Sequence, residues 1–188
     1  MAQGLPESRA RLLEIFRSRA VSFGQFTLAS GKQSPYYINS KKAIFNAEAT
    51  WLLGDVLYQM TQAMSLQAIG GPEVGAIPMA SAAAMRYHEH GRSIEAFYVR
   101  RQAKAHGTQE MIEGVVRAGD RVAVVDDVLT TGGSVLQAIE EVERLGAKIA
   151  AVVCIVDRLQ GAREALARFS FMPIFTIRDF GIEPQTEW

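Results

Sequence analysis

Residues 121–157 constrain the fold of this chain more than any other stretch. RVAVVDD (121–127) and IAAVVCIVD (149–157) are near-continuous apolar runs. Such runs are expected of strands covered on both faces, as in parallel sheets. Between them, SVLQAIEEVERLG (134–146) puts Val135, Ala138, Ile139, Val142 and Leu145 on one helical face, with Glu140 and Arg144 paired outside and Gly146 closing the helix. Strand, helix, strand in this order is a βαβ unit, whose crossover is almost always right-handed.

The rest of the chain continues the alternation. Helical spacing marks 6–20, 46–64, 76–91 and 161–168, and short strands are expected at 66–71, 94–99 and 173–177. SGKQSP (30–35) reads as loop, YYIN (36–39) as a short extended piece, and 100–113 as polar and irregular. Helix–strand alternation of this kind predicts an α/β fold with a mainly parallel sheet flanked by helices. At 188 residues the chain is expected to form a single domain, 1–188, with a core large enough to need no disulfide. Cys154, the one cysteine, sits in an apolar run and is expected to be a buried strand thiol, in keeping with a cytoplasmic setting. Twenty basic residues balance twenty acidic ones, so no global field recruits nucleic acid or a membrane surface. The start has no apolar signal core, and no stretch reaches transmembrane length. Any charge-based function must be local.

The turn between the first strand and its helix is where such chemistry concentrates. Parallel sheets bind ligands at the carboxyl ends of their strands. There the sequence reads Asp126, Asp127, Val128, Leu129, Thr130, Thr131, Gly132, Gly133, Ser134. Free N–H groups at a helix start attract phosphate, the glycines allow close approach, and three hydroxyls add donors. The competing reading is a self-satisfied helix start, since Ser134 and Gln137 match a capping box. The two aspartates favour a ligand. Carboxylates accept hydrogen bonds and suit vicinal sugar hydroxyls or a hydrated metal. Adjacent strand residues point to opposite faces, so both can serve one ligand only if the chain is already turning there. A sugar phosphate satisfies the whole turn, with its 5′-phosphate in the cradle and its 2′- and 3′-hydroxyls on the aspartates. The stretch is neither a Walker P-loop nor a GxGxxG loop.

VVDDVLTTGGS resembles the phosphoribosyl pyrophosphate (PRPP) motif of the type I phosphoribosyltransferases. Two further stretches narrow the resemblance. In YVRRQAKAHGTQEMIEG (98–114), Arg100, Arg101, Lys104 and His106 form a cationic flap, suited to a ligand carrying about four negative charges. The alternative for such a run is a solvated charged loop. FTLASGKQSPYYINSKK (26–42) is the third. Together with VDR (156–158), these resemble the orotate phosphoribosyltransferases over nearly the whole chain.

The resemblance implies a small N-terminal hood, about 1–45 plus C-terminal residues, over a core of about 66–177. It implies that orotate attacks C1 of PRPP, magnesium pyrophosphate leaves, and orotidine 5′-monophosphate forms. Lys104, His106, Asp126 and Asp127 are then the catalytic residues. Arg100, Arg101, Lys104, His106 and the turn from Asp126 to Ser134 hold PRPP. Thr130, Arg158 and Tyr37 hold orotate. Mg2+ is the implied cofactor, carried by PRPP rather than by a protein ligand set. A homodimer is implied, with flap residues reaching the neighbouring site, and neither nucleic acid nor membrane is an expected partner. Three positions depart from the best-known bacterial pattern: Ala29 and Gly75 stand where lysines are common, and Arg101 replaces a lysine. Lys32, Lys41 and Lys42 are the candidates to compensate. The rival readings are a purine phosphoribosyltransferase, a PRPP-sensing regulator and a structural α/β domain. The flap favours the orotate enzyme over the first and third, and the balanced charge argues against the second.

Overall fold

The computed structural model describes residues 4–27, 31, 33–102 and 110–184. Six strands form one sheet in the order β5-β4-β3-β6-β7-β8. These are β3 (Ala68–Pro72), β4 (Glu95–Val99), β5 (Ile112–Gly114), β6 (Arg121–Leu129), β7 (Lys148–Asp157) and β8 (Phe171–Thr176). All neighbours run parallel except β5, which closes one edge antiparallel to β4. The expected α/β class and mainly parallel sheet are present.

Helices cover both faces, which is why β6 and β7 are apolar almost throughout. On one face α1 (Leu5–Arg19), α3 (Ala47–Thr61) and α4 (Ala76–Glu89) share a core with Ala123, Val125, Val153 and Ile155. On the other, α5 (Gly133–Arg144) seats Val135 and Ile139 against Val124, Val152 and Cys154. Cys154 is fully buried, as expected, and burial pushes its thiol pKa well up.

Four elements were missed or only partly read in the local pattern, β2 alone having been expected in part, as the extended piece at 36–39. β1 (Val21–Thr27) and β2 (Gln33–Ile38) form an antiparallel ribbon apart from the main sheet. A four-residue α2 (Lys41–Ile44) follows it. β5 lies inside the stretch expected to be irregular. The fourth expected helix shrinks to α6 (Ala162–Ala165), and the long helix after position 46 ends in a 3-10 turn at 62–64.

The order of strands decides where a ligand can enter. From β3 the chain goes outward to β4, then returns to place β6 on the opposite side of β3. Connections therefore leave β3 and β6 in opposite directions, and a crevice opens beyond their carboxyl ends. Pairing between β3 and β6 stops at Val124, whereas pairing between β6 and β7 continues to Leu129.

Candidate active site

Asp126 and Asp127 lie where β6 has parted from β3 but still pairs with β7. This corrects the expected geometry: the chain has not turned at the aspartates and remains strand to Leu129. Their carboxyl groups nevertheless adjoin. The Asp127 N–H donates to Asp126 Oδ1 (2.9 Å), and the Val128 N–H donates to Asp127 Oδ1 (3.0 Å). Each carboxyl is thereby folded back toward the strand end and the open crevice.

Both aspartates are buried, and their environments push them apart. Burial, and then the charge of Asp127, raise the Asp126 carboxyl pKa to about 8. Burial opposes ionisation of Asp127 as well, but the Ser40 hydroxyl and the Lys41 ammonium outweigh it and leave the pKa lowered. Ser40 Oγ donates to Asp127 Oδ2, and Lys41 Nζ lies 3.1 Å from the same oxygen. Of the two, Asp126 is therefore the one whose surroundings favour keeping its proton.

That proton is bound more tightly in the folded chain than in the unfolded one. The stability it confers is complete below the ordinary carboxyl value of about 4 and is lost as pH rises through about 8. Asp126→Asn is therefore expected to melt above the native chain near pH 9, by about 5 °C, with the gap closing toward about pH 4. Calorimetric melts across that range check it; a gap independent of pH would contradict the assignment.

The phosphate cradle follows directly. Gly132 is the cap residue of α5 and has a left-handed backbone (φ 85°), which a side chain would strain. No side chain caps the helix start, so the possible Ser134–Gln137 capping box is not formed. The Leu136 N–H bonds to the Gly132 carbonyl, while Thr130, Thr131, Gly133 and Ser134 are all exposed. The donors at the start of α5 therefore remain open to an anion.

Two adjoining cavities meet at this turn. One, of about 310 Å3, is lined by Asp126, Asp127 and Val128 together with Lys41, Gly75 and Arg101. The other, of about 480 Å3, lies between the end of β4 and α5, with Arg100, Arg101, Ser134 and Gln137 among its walls. Pro72, Arg101 and Ser134 border both. The root of the expected flap is fixed: the Arg100 N–H donates to the Met111 carbonyl and the Arg101 N–H to Glu73 Oε1. Arg100 Nη1 is 3.5 Å from Glu113 Oε1. Lys104, His106, Ala29 and Lys32 lie outside the described residues.

Thr130 and Arg158 come together on the β7 side of the turn. The Arg158 N–H donates to the Leu129 carbonyl (2.9 Å) and the Ala162 N–H to that of Thr130 (3.1 Å). The Arg158 guanidinium lies over the Tyr36 ring and donates to its hydroxyl (2.9 Å). Tyr37 is not part of this group. On β2 the even positions Ser34 and Tyr36 face inward, and Tyr37 is half-exposed and packs on Phe26 instead. Sequence reasoning did not single out Tyr36 or Ser40. The alternation along β2 was a usable signal for the former, but only the fold says which face is inner.

The family model for the phosphoribosyl transferase domain matches residues 52–185. An orotate phosphoribosyltransferase of Bradyrhizobium sp. (strain ORS 278) is 42% identical over 179 residues, covering 92% of this chain and 97% of that protein. The chain belongs to the orotate phosphoribosyltransferase family. Among solved structures, the orotate phosphoribosyltransferase of Mycobacterium tuberculosis in complex with Fe(III) dicitrate superposes with a TM-score of 0.83 at 37% identity, over 93% of this chain and 99% of that one. The same enzyme in complex with PRPP gives a TM-score of 0.78 at 32% identity, over 93% and 99%. For an orotate phosphoribosyltransferase, an acidic pair beside an uncapped helix start and a cationic wall is the arrangement that an activated ribose phosphate requires.

Proposed function

We propose that this chain transfers the ribose 5-phosphate group of PRPP to orotate, giving orotidine 5′-monophosphate and pyrophosphate, a step of pyrimidine nucleotide synthesis. The observation that carries this reading is the joining of Asp126 and Asp127 to the open start of α5 at a single strand end. A phosphate on the α5 donors sets the ribose with its hydroxyls toward the two carboxyl groups. The ring nitrogen of orotate forms a bond to C1 as the bond from C1 to the diphosphate oxygen breaks; the electron pair leaves with pyrophosphate, and the proton of that nitrogen is given up to pyrophosphate or water. Positive charge growing on the ribose ring faces the aspartates, while negative charge growing on the leaving group faces Arg100, Arg101, Lys104 and His106. Val128, Leu129 and Thr131 shape the turn between the two ends of the sugar. Thr130 and Arg158 receive orotate, with the fork of the guanidinium matched to a carboxylate. Tyr37 has the weakest support among the proposed orotate residues, because its ring packs on Phe26, away from Arg158.

Magnesium fits as a passenger of the substrate. The described residues contain no group of three or more His, Cys, Asp or Glu able to hold a metal. Two carboxyl groups beside a diphosphate and a diol suit a hydrated magnesium ion, with Asp126 and Asp127 bonding to its waters. When bound, the ion neutralises the leaving diphosphate.

The homodimer reading is supported by an apolar groove of about 290 Å3 between α3 and α4, where Trp51 and Met85 are exposed. The hood over the core is supported by Arg9 Nε donating to the Ile174 carbonyl and by Arg17 reaching the Asp179 carbonyl. No helix among the described residues is long and apolar enough to cross a membrane. A cytoplasmic setting follows from the substrates, both charged metabolites of the cell interior.

The deciding experiment follows orotate absorbance with PRPP and magnesium, with adenine, hypoxanthine and uracil as competing bases. Loss of orotate absorbance that depends on PRPP and resists the other bases is expected. Consumption of a purine in preference would replace this reading with the purine one. Asp126→Asn and Asp127→Asn should each raise the KM for PRPP by about tenfold or more while the chains stay folded, as expected for disturbing a buried hydrogen-bonded pair. Initial rates against PRPP concentration test this.

A further inference from the structure

We propose that Lys41 is a diphosphate-binding residue of this site: its ammonium rests on Asp127 in the free chain and passes to a diphosphate oxygen when the substrate enters. The inference rests on the reading of the site given above and adds to it a residue from outside the motif and flap.

The charge balance of the smaller cavity calls for such a group. Glu73, Asp126 and Asp127 line it, with Asp126 favouring its protonated form, against two cations, Lys41 and Arg101, so the cavity offers a ligand no net positive charge. A ligand carrying about four negative charges draws the full charge of Lys41 only if the ammonium leaves Asp127. Arg101 is free to turn, because only its backbone N–H is engaged by Glu73 among the bonds described. Among the described residues the Lys41 ammonium pairs only with Asp127, and its side chain is 50% exposed, so it can change partner without unpacking anything. After that exchange Ser40 still donates to Asp127 Oδ2 and the Val128 N–H to Oδ1, so the carboxylate stays hydrogen-bonded while the position Lys41 held at Oδ2 opens to a ribose hydroxyl.

The loop after β3 cannot furnish this cation itself. A Cβ placed on Gly75 would lie 2.5 Å from both Cγ and Oδ1 of Asp127. Any side chain at 75 must therefore displace Asp127, so the cation has to come from another element. Lys41 approaches from the opposite wall, at the start of α2, 86 residues away in sequence from the carboxylate it meets.

The test separates the diphosphate from the sugar. Magnesium pyrophosphate and ribose 5-phosphate are titrated by calorimetry into the native chain, Lys41→Met and Lys41→Arg, with Lys41→Gln standing in if the methionine variant is insoluble. Loss of one charged contact predicts that Lys41→Met weakens pyrophosphate binding by about tenfold or more. Ribose 5-phosphate binding should stay within about twofold, and Lys41→Arg should recover most of the pyrophosphate affinity, because the lost group acts by charge. In turnover, the KM for PRPP should rise while that for orotate is unmoved. Equal weakening of both ligands would mean that Lys41 only tempers Asp127, and would overturn the proposal. Unchanged pyrophosphate binding in Lys41→Met would overturn it too. The parent reading is judged separately on the native chain: if native protein turns over PRPP and orotate, a Lys41 result speaks to Lys41 alone. If it neither turns over nor binds pyrophosphate, both fall.

Discussion

Lys104→Ala will turn over about 10²–10³ times more slowly than the native chain, the scale for losing one pre-placed donor to developing charge. The chain as a whole carries no net charge, so what the protein itself adds to magnesium in neutralising the departing diphosphate must come from local cations. Of these, Arg100 is already within reach of Glu113, and Arg101 is tethered through its backbone to Glu73. Lys104, the next cation of the stretch three residues on, lies outside the described residues, and its role rests on the flap pattern of the sequence. Single-turnover kinetics with saturating PRPP isolate the chemical step. Near-native rates would remove Lys104 from the mechanism. If the flap serves the neighbouring subunit, mixing Lys104→Ala with Asp127→Asn will restore activity, since some dimers then carry one intact site. No recovery after proven subunit exchange would argue for a self-contained site.

Asp55→Ala will lose about 3–5 kcal/mol of stability, the range for removing one partner of a buried ion pair. Asp55 is 1% exposed and joins three helices. One oxygen accepts both Nε and Nη2 of Arg86 on α4 (3.0 and 2.7 Å), and the other accepts Ser8 Oγ on α1 and Gln59 Nε2 on α3, each at 2.7 Å. Removing the carboxylate strands a guanidinium whose side chain is only 11% exposed, with Glu89 as its remaining carboxylate among the described ion pairs. A fall of roughly 10 °C in Tm is expected for a chain of this size. Turnover per folded molecule at low temperature should be unaffected, because Asp55 lines neither cavity of the site. Asp55→Asn keeps an acceptor for Ser8 and should lose less. A melt within about 2 °C of native for Asp55→Ala would show that the network is not a stability element.

The two experiments probe different depths of the same molecule. The Asp55 network is fully satisfied and remote from the crevice. At the crevice the opposite holds: burial raises the pKa of one carboxyl, a half-exposed lysine rests on the other, and a helix start is left uncapped. Local rules are broken there because the missing partner is a substrate.

The α/β class, the βαβ unit and the position of the glycine-rich turn at 130–134 were fixed by periodicity and by residue types over a few consecutive positions. Those are local properties, and they survive without knowledge of what packs against what. Which tyrosine of the 36–37 pair meets Arg158, how two carboxyl groups on one straight strand come to adjoin, and which lysine reaches Asp127 were settled only when distant elements met. An amphipathic pattern says that a face is buried, not what buries it. The strand order that opens the crevice, and the approach of α2 to β6, are long-range packing choices that no window of sequence contains.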